Sequence, residues 1–310
     1  MTRAPTVSIA VPLYNKRAFI AEAVASALVQ SFADLEIVVV DDGSTDGGAN
    51  ELRNLDDPRL VVIKQDNAGA GAARTRALRE GRGMFVAFLD ADDVWLPDHL
   101  YHLMELVHRF PQCAMFGNGF AETAPAEPLP AVEYRILDDY FSDCADGHPP
   151  FYTSSCMVRR QNALDVGAFA AGKVCGEDLA LWMRLAAQAP VAISSYIGCH
   201  YRRGGDSLSR QSSYRNAPDV SMATLKELLQ HHRGWSTDRR RSVNEYFYRL
   251  ALAHCLDCLR AGEVREARSF LRLSAETSLQ RNRLWIGRAL ALAPSPIRAA
   301  LFRLSDLAKR

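Results

Sequence analysis

The chain has no run of about 18 uncharged apolar residues, so nothing in it reads as a membrane span. Its opening, Met1-Thr2-Arg3-Ala4-Pro5, enters a strand pattern without an apolar stretch, and no secretory signal is expected. Cysteine is sparse: the seven are odd in number and scattered, which excludes a disulfide framework and suits a reducing compartment. The one close pair, Cys255 and Cys258, has no further ligands nearby for zinc and reads as ordinary helix. There is no excess charge of either sign. Thirty-seven Lys+Arg stand against 36 Asp+Glu, which leaves no whole-chain field to hold nucleic acid. No internal repeat of convincing period is present.

What charge there is, the chain divides. Residues 211–310 carry net +9 and residues 1–210 net −8, which implies two regions with different partners. Three hundred and ten residues, 48% hydrophobic and 24% charged, suit one large α/β domain with an appendage. Strand signals at Val7–Val11, Glu36–Val40, Leu60–Ile63, Met84–Leu89 and Ala114–Phe120 alternate with helical periodicity, as at Phe19–Gln30 and Ala70–Arg79. That order predicts a mostly parallel, doubly wound sheet with helices on both faces. Phe151–Val158 and Val191–Tyr201 read as further strands, and Glu177–Ala187 as a helix. After Ser209 the pattern is helical, over 214–232, 237–261, 263–278 and 281–308, the last broken at Pro294-Ser295-Pro296. The expected division is therefore 1–210 and a basic helical 211–310.

Ligands of such sheets bind beyond the carboxyl ends of the strands. Two predicted strands end there in acidic loops, Asp41-Asp42-Gly43-Ser44-Thr45-Asp46 and Asp90-Ala91-Asp92-Asp93. Six like charges at one sheet edge are unfavourable unless a cation or ligand offsets them. Carboxylates two apart, as in Asp90-Ala91-Asp92, can hold a hard divalent ion that shares substrate phosphates. A carboxylate in the other loop can accept from a base N–H or ribose hydroxyls, while Ser44 or Asp46 can cap the next helix.

Five segments in order resemble the family 2 glycosyltransferases of GT-A fold, which implies a Rossmann-like doubly wound mixed sheet. They are Val7–Asn15 ending Pro12-Leu13-Tyr14-Asn15, Val40–Asp46, Asn67-Ala68-Gly69 with Ala73-Arg74, Phe88–Asp93, and Gly176-Glu177-Asp178 running to Leu185. The likeness covers about residues 5–210, with a nucleotide-sugar half in 1–120 and an acceptor half in 121–210. It implies inverting transfer of a sugar from a nucleotide sugar, most often UDP-linked, to an acceptor hydroxyl, with Mg or Mn. A glycan or lipid-linked acceptor and a role in cell-surface polysaccharide or glycolipid synthesis follow from it. By position, Pro12, Tyr14 and Asp42 line the nucleoside pocket, with Asp42 at the base. Arg74 falls near the nucleotide, Asp90 near the ribose, Asp92 at the metal, and Asp178 at the general base, with Glu177 as the alternative base.

The family often places a His where Gly204 stands, and Arg202 or Arg203 is offered instead for the diphosphate charge. Phe151–Ser155 and the 123–150 loop are read as the acceptor side. Residues 278–310 hold seven basic side chains and one acid among Trp285, Ile286, Leu292 and Phe302. That composition suits either peripheral contact of 281–310 with an anionic membrane from the cytoplasmic side or a helix packed on its neighbours. Two other classes stay open. A nucleotidyltransferase would show a Gly-rich first loop, which Pro12–Arg17 lacks; a nucleotide-sugar-binding protein without turnover would not need Asp92 and Asp178.

Overall fold

The computed structural model describes residues 3–122, 131–147, 149–172, 175–202 and 219–307. The chain divides into two compact units, Met1–Tyr140 with Pro149–Thr224, and Phe141–His148 with Leu225–Arg310. In the first, β1 (Val7–Leu13), β2 (Leu35–Asp42), β3 (Leu60–Gln65) and β4 (Phe85–Phe88) alternate with α1 (Arg17–Leu28), the short α2 (Gly48–Glu51) and α3 (Ala70–Glu80). Every residue of β2 is buried, as its unbroken Ile-Val-Val-Val run requires of a strand covered on both faces. Each such aliphatic side chain contributes about 1.5–3 kcal/mol by leaving water. β3 is the sheet edge, where Val61 and Val62 are exposed.

The chain continues through β5 (Val94–Trp95), α4 (His99–Arg109), β6 (Met115–Ala121), β7 (Tyr134–Ile136) and α5 (Tyr140–Asp146). Then come β8 (Cys156–Arg159), α6 (Arg160–Asp165), α7 (Glu177–Gln188) and β9 (Val191–His200). The strand order is β3-β2-β1-β4-β8-β6-β9-β5, with β7 paired to β9. Parallel pairing holds from β3 to β4, as the alternation predicts, and again between β6 and β9. The sheet is mixed, as the GT-A likeness implies, although the alternation alone pointed to a mostly parallel one: β8 runs antiparallel to both β4 and β6. No crossover helix is needed for an antiparallel neighbour, so helical periodicity gave no sign of it.

The predicted Phe151–Val158 strand is also shorter than expected. Thr153–Ser155 is a 3-10 turn, and the strand begins at Cys156. Ser155 Oγ accepts from Tyr152 N at 2.9 Å and donates to Tyr152 O at 3.1 Å, a local pairing that competes with the sheet ladder. Phe151 is seated on Gly117 of β6, where an added Cβ would lie 2.4 Å from its ring. It meets Trp182 of α7 edge-on at 6.2 Å. This anchoring delivers the turn to the carboxyl end of β4. There the strand order also reverses, since the chain leaves β1 toward β2 and returns on its other side as β4.

The helices α8 (Ser221–His231), α9 (Thr237–Ala261), α10 (Val264–Leu273), α11 (Arg281–Leu292) and α12 (Ser295–Leu307) complete the chain. Ser236 caps α9, and Gly262 ends it with φ 87°, a left-handed conformation suited to glycine. Leu252, Cys255, Leu259, Ala267, Leu271 and Leu284 form the core of the second unit, so Cys255 is packed as an apolar residue. Buried Glu245 accepts from the Thr277 hydroxyl at 2.6 Å and from Ser278 N at 2.6 Å, fixing the link into α11.

At the edge of the sheet opposite the loops, Glu36 accepts from Ser8 Oγ at 2.7 Å, Arg82 N at 2.6 Å and Arg82 Nε at 2.8 Å. Burial raises its pKa, but these hydrogen bonds and the Arg82 charge together hold it below its ordinary value of 4.5. Its stabilisation is thus complete above that ordinary value and is lost as pH falls through the lower folded one. Glu36→Gln is expected to cost about 1–3 kcal/mol near neutrality, by leaving buried donors poorly paired. Urea titrations at neutral pH and at about pH 3 check this, because the gap between the two proteins should shrink in acid. An equal gap at both would remove the charged carboxylate from the explanation.

Candidate active site

The two acidic loops lie at the ends of β2 and β4, and they are neutralised differently. In the first, the chain's own N–H groups do the work. Asp41 Oδ1 accepts from Ser44 N at 3.0 Å. Asp46 takes Arg17 N and Gly48 N, each at 2.8 Å, so it also sits at the start of α1. Asp42 is buried, its Oδ1 accepting from Gln65 Nε2 at 2.8 Å and Ala68 N at 2.9 Å, its Oδ2 from Gly69 N at 2.8 Å. Two carboxylate oxygens offer about four acceptor positions, so among the described residues one on Oδ2 is left for a ligand N–H. Asn15 ties the β1 loop to this one, its N donating to Ser44 Oγ at 3.2 Å and its Oδ1 accepting from Thr45 N at 2.8 Å. Pro12, near the end of β1, is half-buried, and Tyr14 is exposed on the loop that follows.

The second loop is held by cations and hydroxyls. Arg74 of α3, itself buried, reaches Asp90 Oδ1 at 2.6 Å and Glu177 Oε1 at 3.2 Å. Burial would lower the guanidinium's pKa, yet Asp90 and Glu177 hold it above its ordinary value. Tyr152 donates to Asp90 Oδ2 at 3.3 Å, and its phenol is pushed up by burial and by Asp90 and Asp93, so it remains a donor. Ser154 Oγ accepts from Asp90 N at 3.0 Å and donates to Asp93 Oδ2 at 2.6 Å. Asp93 also takes Arg202 N at 3.1 Å. Burial first, then Asp90 and Asp92, push the Asp93 carboxyl up to about 8. Asp92 is more open: Lys16 Nζ lies 2.7 Å from its Oδ2, and among the described residues Oδ1 accepts no hydrogen bond.

Asp178, in the first turn of α7, accepts from Thr153 Oγ1 at 2.8 Å through Oδ2 and from Leu179 N at 2.7 Å through Oδ1. It is half-exposed, whereas neighbouring Glu177 is buried on Arg74. The Phe151–Ser155 segment offered for the acceptor side therefore touches three of the carboxylates, Tyr152 at Asp90, Thr153 at Asp178 and Ser154 at Asp93. Phe120, Tyr152 and Tyr201 cluster beside Asp90, with Tyr152 and Tyr201 at 4.6 Å between ring centres. The sequence motifs assign Lys16 and Asp93 no individual role, and they offer Tyr152, Thr153 and Ser154 only as part of the acceptor-side segment. Asp93 could have been assigned from its place in the acidic run; the contacts of the segment with the carboxylates could not, because only the antiparallel pairing of β8 brings it there. Arg202's guanidinium meets Glu22 of α1, while Arg203, Gly204 and the 123–130 loop lie outside the described residues.

Residues 8–167, just over half of the chain, match the sequence profile of Glycosyl transferase family 2. The chain belongs to that family. A Bacillus subtilis (strain 168) glycosyltransferase named for teichuronic acid biosynthesis, TuaG, is 40% identical over 120 residues, covering 38% of this chain and 47% of that protein. Escherichia coli WfaP, a UDP-Glc:alpha-D-GlcNAc-diphosphoundecaprenol beta-1,3-glucosyltransferase, is 28% identical over 234 residues, 73% of this chain and 89% of WfaP. Over the first relatives matched, the chain spans under half of their length, from 47% down to 15%. The crystal structure of S. aureus TarS 1–349 in complex with UDP-GlcNAc superposes with TM-score 0.69 at 18% identity, over 97% of this chain and 92% of that one. The fold is thus the GT-A type, a mixed sheet between helices followed by further helices. The transferase has relatives in cell-surface polysaccharide and glycolipid synthesis.

In this transferase the Arg74 pairs are buried, and removing one partner leaves two carboxylates without a cation. Arg74→Met should therefore lower unfolding stability by about 3–5 kcal/mol, read by urea denaturation. A loss of under about 1 kcal/mol would mean that Asp90 and Glu177 reach solvent or other donors without it.

Proposed function

We propose that the chain transfers a sugar from a nucleotide sugar, UDP-linked, to an acceptor hydroxyl with inversion at the anomeric carbon. The observation that carries this is the Arg74 bridge, which binds the β4 loop bearing Asp90 and Asp92 to the helix that opens on Glu177 and Asp178. In this reading residues 1–210 hold the chemistry, the donor in 1–120 and the acceptor in 121–210, with 211–310 a separate helical part. Pro12, Tyr14 and the remaining acceptor position of Asp42 face the nucleoside, and Asp90 and Arg74 lie toward its ribose and phosphates. A hard divalent ion commonly takes one or two carboxylates and completes its shell with water and phosphate. The open Oδ1 of Asp92 fits that requirement for Mg or Mn, although no group of three or more ligating side chains occurs among the described residues. Such an ion would neutralise charge on the departing diphosphate.

The acceptor oxygen attacks the anomeric carbon as its proton passes to Asp178 Oδ2. The bond to the diphosphate oxygen breaks, and its electron pair leaves with the nucleotide. Asp178 suits the base better than Glu177, because Glu177 is committed to Arg74 while Asp178 meets only a hydroxyl and one backbone N–H among the described residues. A panel of nucleotide sugars, with and without Mn, names the donor and tests the reading; no turnover of any would leave a binding protein. Asp178→Asn should lower kcat by roughly 10²–10⁴-fold with UDP affinity nearly unchanged. Survival of turnover within a factor of a few, with loss in Glu177→Gln, would move the base to Glu177.

The same reading gives the chain a glycan or lipid-linked acceptor and a place on the cytoplasmic membrane face. No helix among the described residues is long and apolar enough to cross a membrane. α11 and α12 nevertheless expose Trp285, Ile286, Leu292, Ile297 and Leu301, with Arg288 over the Trp285 ring at 5.5 Å. Exposed apolar residues among arginines fit an anionic lipid surface. Each basic group there contributes about 1 kcal/mol. The full chain should co-sediment with phosphatidylserine vesicles, less so as salt rises, and Trp285→Ser with Leu292→Ser should release it. Equal sedimentation of both proteins would make these residues ordinary surface.

A further inference from the structure

Lys16 occupies a position that the sequence motifs left unassigned. It is the residue before α1, and its ammonium is 2.7 Å from Asp92 Oδ2. Both side chains are largely withdrawn from water, at 14% and 24% exposure, so the pair is less screened than a surface one. Among the described residues, two other cations near Asp92 are engaged with other carboxylates. Arg74 is buried between Asp90 and Glu177, and the Arg202 guanidinium meets Glu22 and lies 5.8 Å from the Phe19 ring. Lys16 carries its charge on a flexible four-carbon stem, which can redirect the ammonium without moving the backbone. It therefore stands at the carboxylate assigned above to the metal.

We propose that Lys16 couples cation binding to donor binding. Without a donor, its ammonium shares Asp92 with any divalent ion and repels it, which weakens metal binding. A diphosphate brings several negative oxygens to the same place. The ammonium then turns from Asp92 Oδ2 to those oxygens, frees the carboxylate for the ion, and adds a positive charge beside the leaving group. No proton changes hands in this exchange. Metal and nucleotide then strengthen each other's binding, each by the same factor.

This inference rests on the assignment of Asp92 to the metal, and the test separates the two. Mn binding to the whole chain is measured by calorimetry with and without UDP, for the unmodified protein, Lys16→Met, Lys16→Gln and Asp92→Asn. Thermal melts establish that each variant is folded; the two Lys16 variants differ in polarity, so one can stand if the other fails. Lys16→Met or Lys16→Gln should bind Mn alone more tightly, UDP in Mn less tightly, and show a metal–nucleotide coupling reduced by about fivefold or more. Coupling unchanged in the folded Lys16 variants, while Asp92→Asn loses Mn binding, would overturn the role of Lys16 and leave the metal assignment intact. Unchanged Mn binding in Asp92→Asn would overturn both.

Discussion

A guanidinium withdrawn from water with two carboxylates on it is the constraint on which the site depends. Arg74 comes from α3, Asp90 from the end of β4 and Glu177 from the start of α7. Each would be unfavourable where it lies without the others, since burial penalises an unpaired charge by several kcal/mol. Together they fix the spacing of two loops that are far apart in sequence. Asp92 and Asp178 stand on the two segments so joined, and Lys16 and Thr153 then hold their carboxylates.

The acidic edge illustrates how like charges can be concentrated without unfolding the chain. Three carboxylates of the β2 loop are satisfied by backbone N–H groups, which leaves that loop rigid and nearly saturated. Those of the β4 loop are satisfied mainly by side chains, Arg74, Lys16, Tyr152 and Ser154, with one backbone N–H from Arg202 on Asp93. The first loop is suited to present a fixed surface to a nucleoside. The second can exchange partners, as a site that handles phosphate must. The difference follows from what does the neutralising: a peptide N–H in a turn cannot turn away, while an ammonium on four methylenes can.

The two units also separate two kinds of surface. In the first, aromatic groups and buried or half-buried acidic groups gather at the loops beyond the sheet. In the second, an apolar core around Cys255 and Leu259 is enclosed by helices whose outer faces carry arginine and exposed Trp285. The second unit includes Phe141–His148, a segment taken from within the span of the first. Periodicity cannot reveal such a division, because α5 spans only Tyr140–Asp146 and its pattern does not say which core it joins.

The sequence by itself determined that the first four strands alternate with helices and run parallel, because strand and helix periods alternate there. It also determined which loops are acidic and that Asp92 and Asp178 stand at strand and helix ends. Tertiary structure alone decided the rest. β8 enters antiparallel, and that pairing carries Tyr152, Thr153 and Ser154 to Asp90, Asp178 and Asp93, 25 residues apart for Thr153 and Asp178 and more than 60 for the other two pairs. The same holds for Lys16 and Asp92, 76 residues apart. Local pattern reports the propensity of a segment and the face it buries. Which side chain neutralises which carboxylate depends on strand order, and strand order is settled by the packing of the whole sheet.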